Sequence, residues 1–164
     1  GGDCVLQQVV ERLKTAIRQT DTVVRWGGEE FLVLARQSNR QEAPAVAERI
    51  RAIMADSPFE PLAGEPLTCT CSVGFAAFPF LLGEPEMVPW EQVMHLADHA
   101  LYAAKRGGRN AWVGIEASPD VSPTRLGGSP FLRIAELVSE GLLELRTSLP
   151  PDAPLDWGSM SPKR

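Results

Sequence analysis

Residues 26–34 read WGGEEFLVL: two glycines, two adjacent glutamates and an apolar run. TDTVVRW before it and EEFLVLA across it are short β-branched or aromatic runs separated by Gly27 and Gly28, the pattern of a hairpin whose turn needs positive φ. The turn needs its glycines, but nothing in a hairpin requires Glu29 and Glu30. Alternation along a strand sends the two carboxylates to opposite faces, so one can meet a ligand while the other orients it or faces solvent. Carboxylates beside a turn without side chains suit an oxygen-seeking cation such as Mg²⁺, which takes one or two protein carboxylates together with substrate phosphates. A plain turn with solvated glutamates is the alternative.

Helical spacing flanks the hairpin on both sides. Val5, Leu6, Val9, Leu13, Ala16 and Ile17 predict an amphipathic helix over residues 3–19, with Asp3 placed to accept free N–H groups of its first turn. Val46, Ile50, Ile53 and Met54 predict a second helix over 40–56, where Pro44 fits only the first turn. LTCTCSVGFAAF, residues 67–78, predicts a strand that moves into a sheet interior. After a loop rich in proline and glycine, Val93, Met94, Ala97, Ala100 and Leu101 predict a long helix from residue 90 that stops at Gly107 and Gly108, and NAWVGI follows as a strand. This order predicts an α+β fold, a mostly antiparallel sheet covered by helices.

The composition changes after residue 115. Residues 116–130, EASPDVSPTRLGGSP, read as a linker, residues 130–148 can form an amphipathic helix despite Gly141, and a flexible tail completes the chain. Residues 1–115 are therefore expected to form the domain. A chain of 164 residues fits one core, and a formal charge of −5 disfavours binding to a nucleic acid polymer. Cys4, Cys69 and Cys71 offer neither a CxxC pair nor an even disulfide set, which fits a reducing, cytoplasmic setting. No apolar run reaches membrane-span length. His95 and His99 lie four apart without HExxH or a third ligand, and read as surface or partly buried helix residues rather than a zinc pair.

Further features keep a fixed order around the turn: Gly2-Asp3 opening the first helix, Arg18 and Asp21 as RxxD, Arg25-Trp26 before GGEEF, and LYAAKRGGRN over residues 101–110. Together they resemble the GGDEF family, the diguanylate cyclases, in its GGEEF variant. The resemblance implies a nucleotidyl-cyclase palm fold, here lacking the family's first strand, with its metal-binding aspartate, and the helix that follows. It implies condensation of two GTP into cyclic di-GMP and pyrophosphate, by a homodimer in which each domain holds one GTP. By the same resemblance Glu29 binds Mg²⁺ or Mn²⁺, Glu30 supports it, and Gly27 and Gly28 let the phosphates pass. Asp3 would read the guanine edge, and Lys105 and Arg109 would hold the terminal phosphates. Arg18, Asp21 and Arg49 would form an inhibitory product site, and an upstream sensory or regulatory domain would supply the input, in a cytoplasmic protein or in the cytoplasmic part of a membrane-associated one. A second reading keeps Arg18, Asp21 and Arg49 as a cyclic di-GMP sensor without catalysis.

Overall fold

A computed structural model describes residues 2–36 and 39–158. The chain divides into two compact units, residues 1–71 and 72–164, each described by itself. In the first unit α1 (Gly2–Ala16) is followed by β1 (Thr22–Gly27), β2 (Glu30–Leu34) and α2 (Ala43–Ala55). The strands β1 and β2 form the expected antiparallel hairpin, with Val24 opposite Leu32 and Gly27 opposite Glu30. The helix α2 opens through a short 3₁₀ turn, Arg40–Glu42, and carries Pro44 in its first turn, where the missing N–H costs nothing.

Of the positions their periodicity marks, α1 buries Leu13 and Ala16 and α2 buries Ile50 and Met54; Ala47 is buried as well, while Val46 and Ile53 are half-buried. Arg12 ties the two helices. Its guanidinium donates to the carbonyls of Ser57 and Pro58 at 2.7 Å each and lies 3.7 Å over the Phe59 ring. Asp3 sits inside the first turn of α1 rather than ahead of it, where a carboxylate complements the positive end of the helix without capping it.

In the second unit β3 (Val73–Phe75), α3 (Trp90–Arg106), β4 (Trp112–Ala117), α4 (Pro123–Leu126), α5 (Ile134–Ser139) and β5 (Leu143–Thr147) follow in order. The sheet order is β3-β4-β5, with β3 parallel to β4 and β5 antiparallel to it. The α+β class holds, and the second sheet is mixed rather than antiparallel throughout. The strand expected over 67–78 shrinks to three residues, while Leu67 exchanges two backbone hydrogen bonds with Phe59. Cys69 and Cys71 therefore lie outside any strand. All three cysteines are free, and burial pushes the Cys71 thiol up to about 11, which suits a packed residue rather than a redox one.

Residues 130–148 depart most from expectation. They form a 3₁₀ turn (Pro130–Arg133), α5 and β5 instead of one helix. Gly141 at φ 74° stops α5: its N–H reaches the Val138 carbonyl, and the Leu142 N–H reaches that of Leu137. Both bonds make a Schellman cap. Beyond it Leu143, Leu145 and Thr147 alternate along a strand paired with β4. Phe131, Ile134, Leu137, Leu143, Leu149 and Trp157 then share one core with Leu96, Ala100, Val113 and Ile115, so residues 116–158 are packed structure rather than linker and tail. The tail beyond residue 158 lies outside the described residues.

His99 is buried more deeply than its spacing alone suggests, with Nδ1 against the Trp157 carbonyl, and His95 stacks on Phe131 at 4.4 Å. Among the described residues no group of three or more His, Cys, Asp or Glu could hold a metal ion by itself, and no helix is long and apolar enough to cross a membrane. Gly74 is where β3 touches α3. A Cβ there would overlap the Leu101 and Ala97 backbone, 2.6 Å from Leu101 Cα. Gly74→Ala is expected to cost about 3 kcal/mol or to prevent folding. Urea unfolding checks this against Gly83→Ala, which meets nothing within 4 Å.

Candidate nucleotide site

The turn of the β1–β2 hairpin consists of Gly28 and Glu29, because Gly27 is still paired with Glu30. Only Gly28 takes positive φ, at 52°; Gly27 is a strand residue, which narrows the expectation made for both. One left-handed residue at the first loop position is what a two-residue hairpin of the II′ kind requires. The register slips between Arg25 and Gly27, so Trp26 is the extra residue of a bulge, 62% exposed. Glu29 stands exposed at the tip and Glu30 half-buried at the start of β2.

Arg25 holds this turn. Its Nε and Nη2 both donate to the Gly28 carbonyl, at 3.2 and 3.0 Å. Arg25 also lines an open hollow of about 400 Å³ with Asp3, Leu6, Gln7, Val10, Val23 and Phe31. One carboxylate at the rim and apolar side chains beneath it form a surface that can take a flat heterocycle, with its N–H edge toward Asp3. The family pattern names Arg25 only as a neighbour of the turn, while the structure makes it the link between turn and hollow. A signal was present in sequence, since an arginine three residues before a loop carbonyl can fork back onto it.

A second hollow, about 230 Å³, is lined by Arg18, Asp21, Glu42, Ala45, Val46 and Arg49. The three residues expected at a product site thus share one concavity. Both Asp21 oxygens accept backbone N–H groups, from Arg18 at 3.0 Å and Arg36 at 2.9 Å, so Asp21 also fixes the connection between α1 and β1. Arg18 faces Glu42 at 3.4 Å, with both side chains more than half exposed, a pair worth little in stability. Arg49 donates Nε–H to the Ala16 carbonyl at 2.9 Å, while Arg51 pairs with Glu48. Glu42 was not foreseen: its place in the hollow depends on the 3₁₀ turn that precedes α2.

Lys105 and Arg109 belong to the second unit, at the end of α3 and in the turn after it. Gly107 ends the helix, and Gly108, Arg109 and Asn110 take φ of 137°, 63° and 47°. Arg109 therefore holds a left-handed conformation that is costly for a residue with its side chain.

The sequence model of "Diguanylate cyclase, GGDEF domain" matches residues 1–111. The chain belongs to the GGDEF family. Diguanylate cyclase DgcP of Pseudomonas aeruginosa is 42% identical over 109 residues, 66% of this chain and 15% of that protein. Diguanylate cyclase DosC of Escherichia coli K12 is 35% identical over 109 residues, 66% of this chain and 22% of its own length. Among solved structures, diguanylate cyclase SiaD in complex with its activator SiaC, from Pseudomonas aeruginosa, shares 36% identity with a TM-score of 0.56, over 66% of this chain and 39% of that one. The chain spans less than a third of the length of the curated relatives it matches.

The Arg25 fork should stiffen the turn. Arg25→Ala should speed amide exchange at Gly28 and Glu30 about fivefold, as expected for losing roughly 1 kcal/mol of hydrogen bonding. Arg25→Lys, which cannot fork, should restore little of it. Exchange unchanged in both variants would show that the hairpin needs no clamp.

Proposed function

We propose that this chain acts as a diguanylate cyclase domain, condensing two GTP into cyclic di-GMP as a dimer. The observation that carries this reading is the Arg25-clamped GGEE turn next to a hollow rimmed by Asp3. Guanine lies in that hollow with its N–H edge on Asp3. The phosphates cross the open tip at Gly28, where a glycine with nothing within 4 Å of its Cβ position leaves room for them. Lys105 as a point charge and Arg109 as a fork take the terminal phosphates.

Glu29, with Glu30 in support, would hold Mg²⁺ or Mn²⁺. Two carboxylates fit an ion that keeps waters and phosphate oxygens for its other positions. When bound, such an ion neutralises charge on the phosphates in the transition state. The 3′-hydroxyl of each GTP attacks the α-phosphorus of the other, loses its proton and expels pyrophosphate. The protein's part is to position the two and to stabilise charge. Because each domain holds one GTP, two must face each other. An upstream regulatory domain and a cytoplasmic site of action belong to the same reading.

A specific observation favours regulation by product. Arg18, Asp21 and Arg49 line a hollow of their own in which guanidinium groups can fork onto phosphodiester oxygens or stack on guanine, and a carboxylate can accept from its N–H edge. The same hollow would serve a domain that binds cyclic di-GMP without making it.

With GTP and Mg²⁺, pyrophosphate and cyclic di-GMP should appear from this chain or from a form carrying further N-terminal family sequence. Glu29→Gln should cut the rate about 100-fold, in line with loss of one group that stabilises transition-state charge. Product from neither form would overturn the enzyme reading. Calorimetry with cyclic di-GMP should give binding that Arg18→Ala weakens about tenfold, consistent with loss of a charge-assisted contact. Equal binding by wild type and variant would remove the product site.

A further inference from the structure

The turn that carries Arg109 is held by residues beyond the family match. Gly107 and Trp112 bracket it, and between them Arg109 and Asn110 are consecutive non-glycine residues at positive φ. Such a pair persists only where the surroundings over-determine it. Part of the constraint is internal, the Arg109 N–H donating to the Ala104 carbonyl at 3.0 Å.

Beside it the Val73 N–H of β3 donates to the Ala111 carbonyl at 2.9 Å, and a further part comes from the end of β5 and the residues after it. The Thr147 hydroxyl donates to the Trp112 carbonyl at 2.8 Å, the Ser148 N–H donates to the same carbonyl at 3.1 Å, and the Trp112 N–H donates to Ser148 Oγ at 2.9 Å. The Leu149 N–H donates to Thr147 Oγ1 at 3.0 Å, which sets the hydroxyl's direction. Leu149 itself packs on Gly107, with Cδ1 2.6 Å from where a Cβ would stand. Asp156 reaches Arg106 at 3.4 Å, and the Trp157 carbonyl meets His99. Both ends of the turn are thus gripped by one three-residue segment, and the helix before it is latched twice more.

We propose that Thr147, Ser148 and Leu149 are positioning residues that keep the Arg109 turn in its phosphate-receiving shape; this rests on reading Lys105 and Arg109 as the terminal-phosphate pair. The segment acts on the β- and γ-phosphates alone. It should therefore govern how strongly the protein prefers a nucleoside triphosphate to the monophosphate with the same base.

The test is calorimetry with GTP and with GMP, each with Mg²⁺, on the full chain and on Arg109→Ala, Thr147→Val and Thr147→Ser. Wild type should prefer GTP. Arg109→Ala and Thr147→Val should each cut that preference about tenfold, the scale of one lost hydrogen bond at a charged contact, while Thr147→Ser, which keeps the hydroxyl, should retain it. Amide exchange at residues 109–111 should quicken in Thr147→Val and not in Thr147→Ser. If Thr147→Val does not fold, Ser148→Ala, which removes the acceptor for the Trp112 N–H, carries the same expectation. A preference lost in Arg109→Ala but intact in the Thr147 or Ser148 variant would overturn the positioning role and leave the phosphate reading standing. No preference in wild type, or none lost in Arg109→Ala, would overturn the phosphate reading and the positioning role with it.

Discussion

Two arginines, each closing the end of the other's helix, set the geometry on which the first unit depends. A helix leaves its last carbonyls without partners and its C-terminus negative. Arg12 of α1 answers this for α2, donating to the Ile53 and Met54 carbonyls of its last turn and to Ser57 and Pro58 just beyond it. Arg49 of α2 answers it for α1, donating to Ala16. The exchange fixes how α1 lies on α2, and both hollows follow. Asp3 reaches the first from one end of α1, Arg18 stands just past the other, and Arg49 enters the second from α2. A residue placed by the family pattern at a product site therefore has a structural task as well.

In the second unit β4 is the central strand, with Val113 and Ile115 fully buried between β3 and β5. The family pattern stops where β4 begins, yet the core does not. Phe131, Ile134, Leu137 and Leu143 bury as completely as the helix residues they meet. Without β5 the β4 edge that pairs with it would be left without backbone partners. The added segment is accordingly part of the fold, and its grip on the Gly107–Trp112 turn follows from the same packing.

Much of this was legible in the residues. The hairpin followed from two glycines between β-branched runs, α2 from apolar spacing with Pro44 in its first turn, and α3 from apolar spacing that stops at Gly107 and Gly108. Arg18, Asp21 and Arg49 could be set together from family pattern, and they do share a hollow. Residues 130–148 misled because Phe131, Ile134, Leu137 and Val138 keep helical spacing while Leu143, Leu145 and Thr147 keep strand spacing. Gly141 decides between them through its backbone conformation, which the apolar pattern does not carry. The roles of Arg25 and Glu42 were hidden for a related reason: each depends on where a neighbouring turn places a carbonyl or a guanidinium.

On the function proposed above, the first unit offers two separate nucleotide surfaces, one at the GGEE turn and one at Arg18 and Arg49. Amide chemical shifts of the isotope-labelled chain, followed during separate titrations with GTP plus Mg²⁺ and with cyclic di-GMP, test it most directly. GTP should move Asp3, Arg25 and residues 27–30, whereas cyclic di-GMP should move Arg18, Asp21, Glu42 and Arg49. Both ligands shifting one common set, or neither shifting these residues, would contradict it.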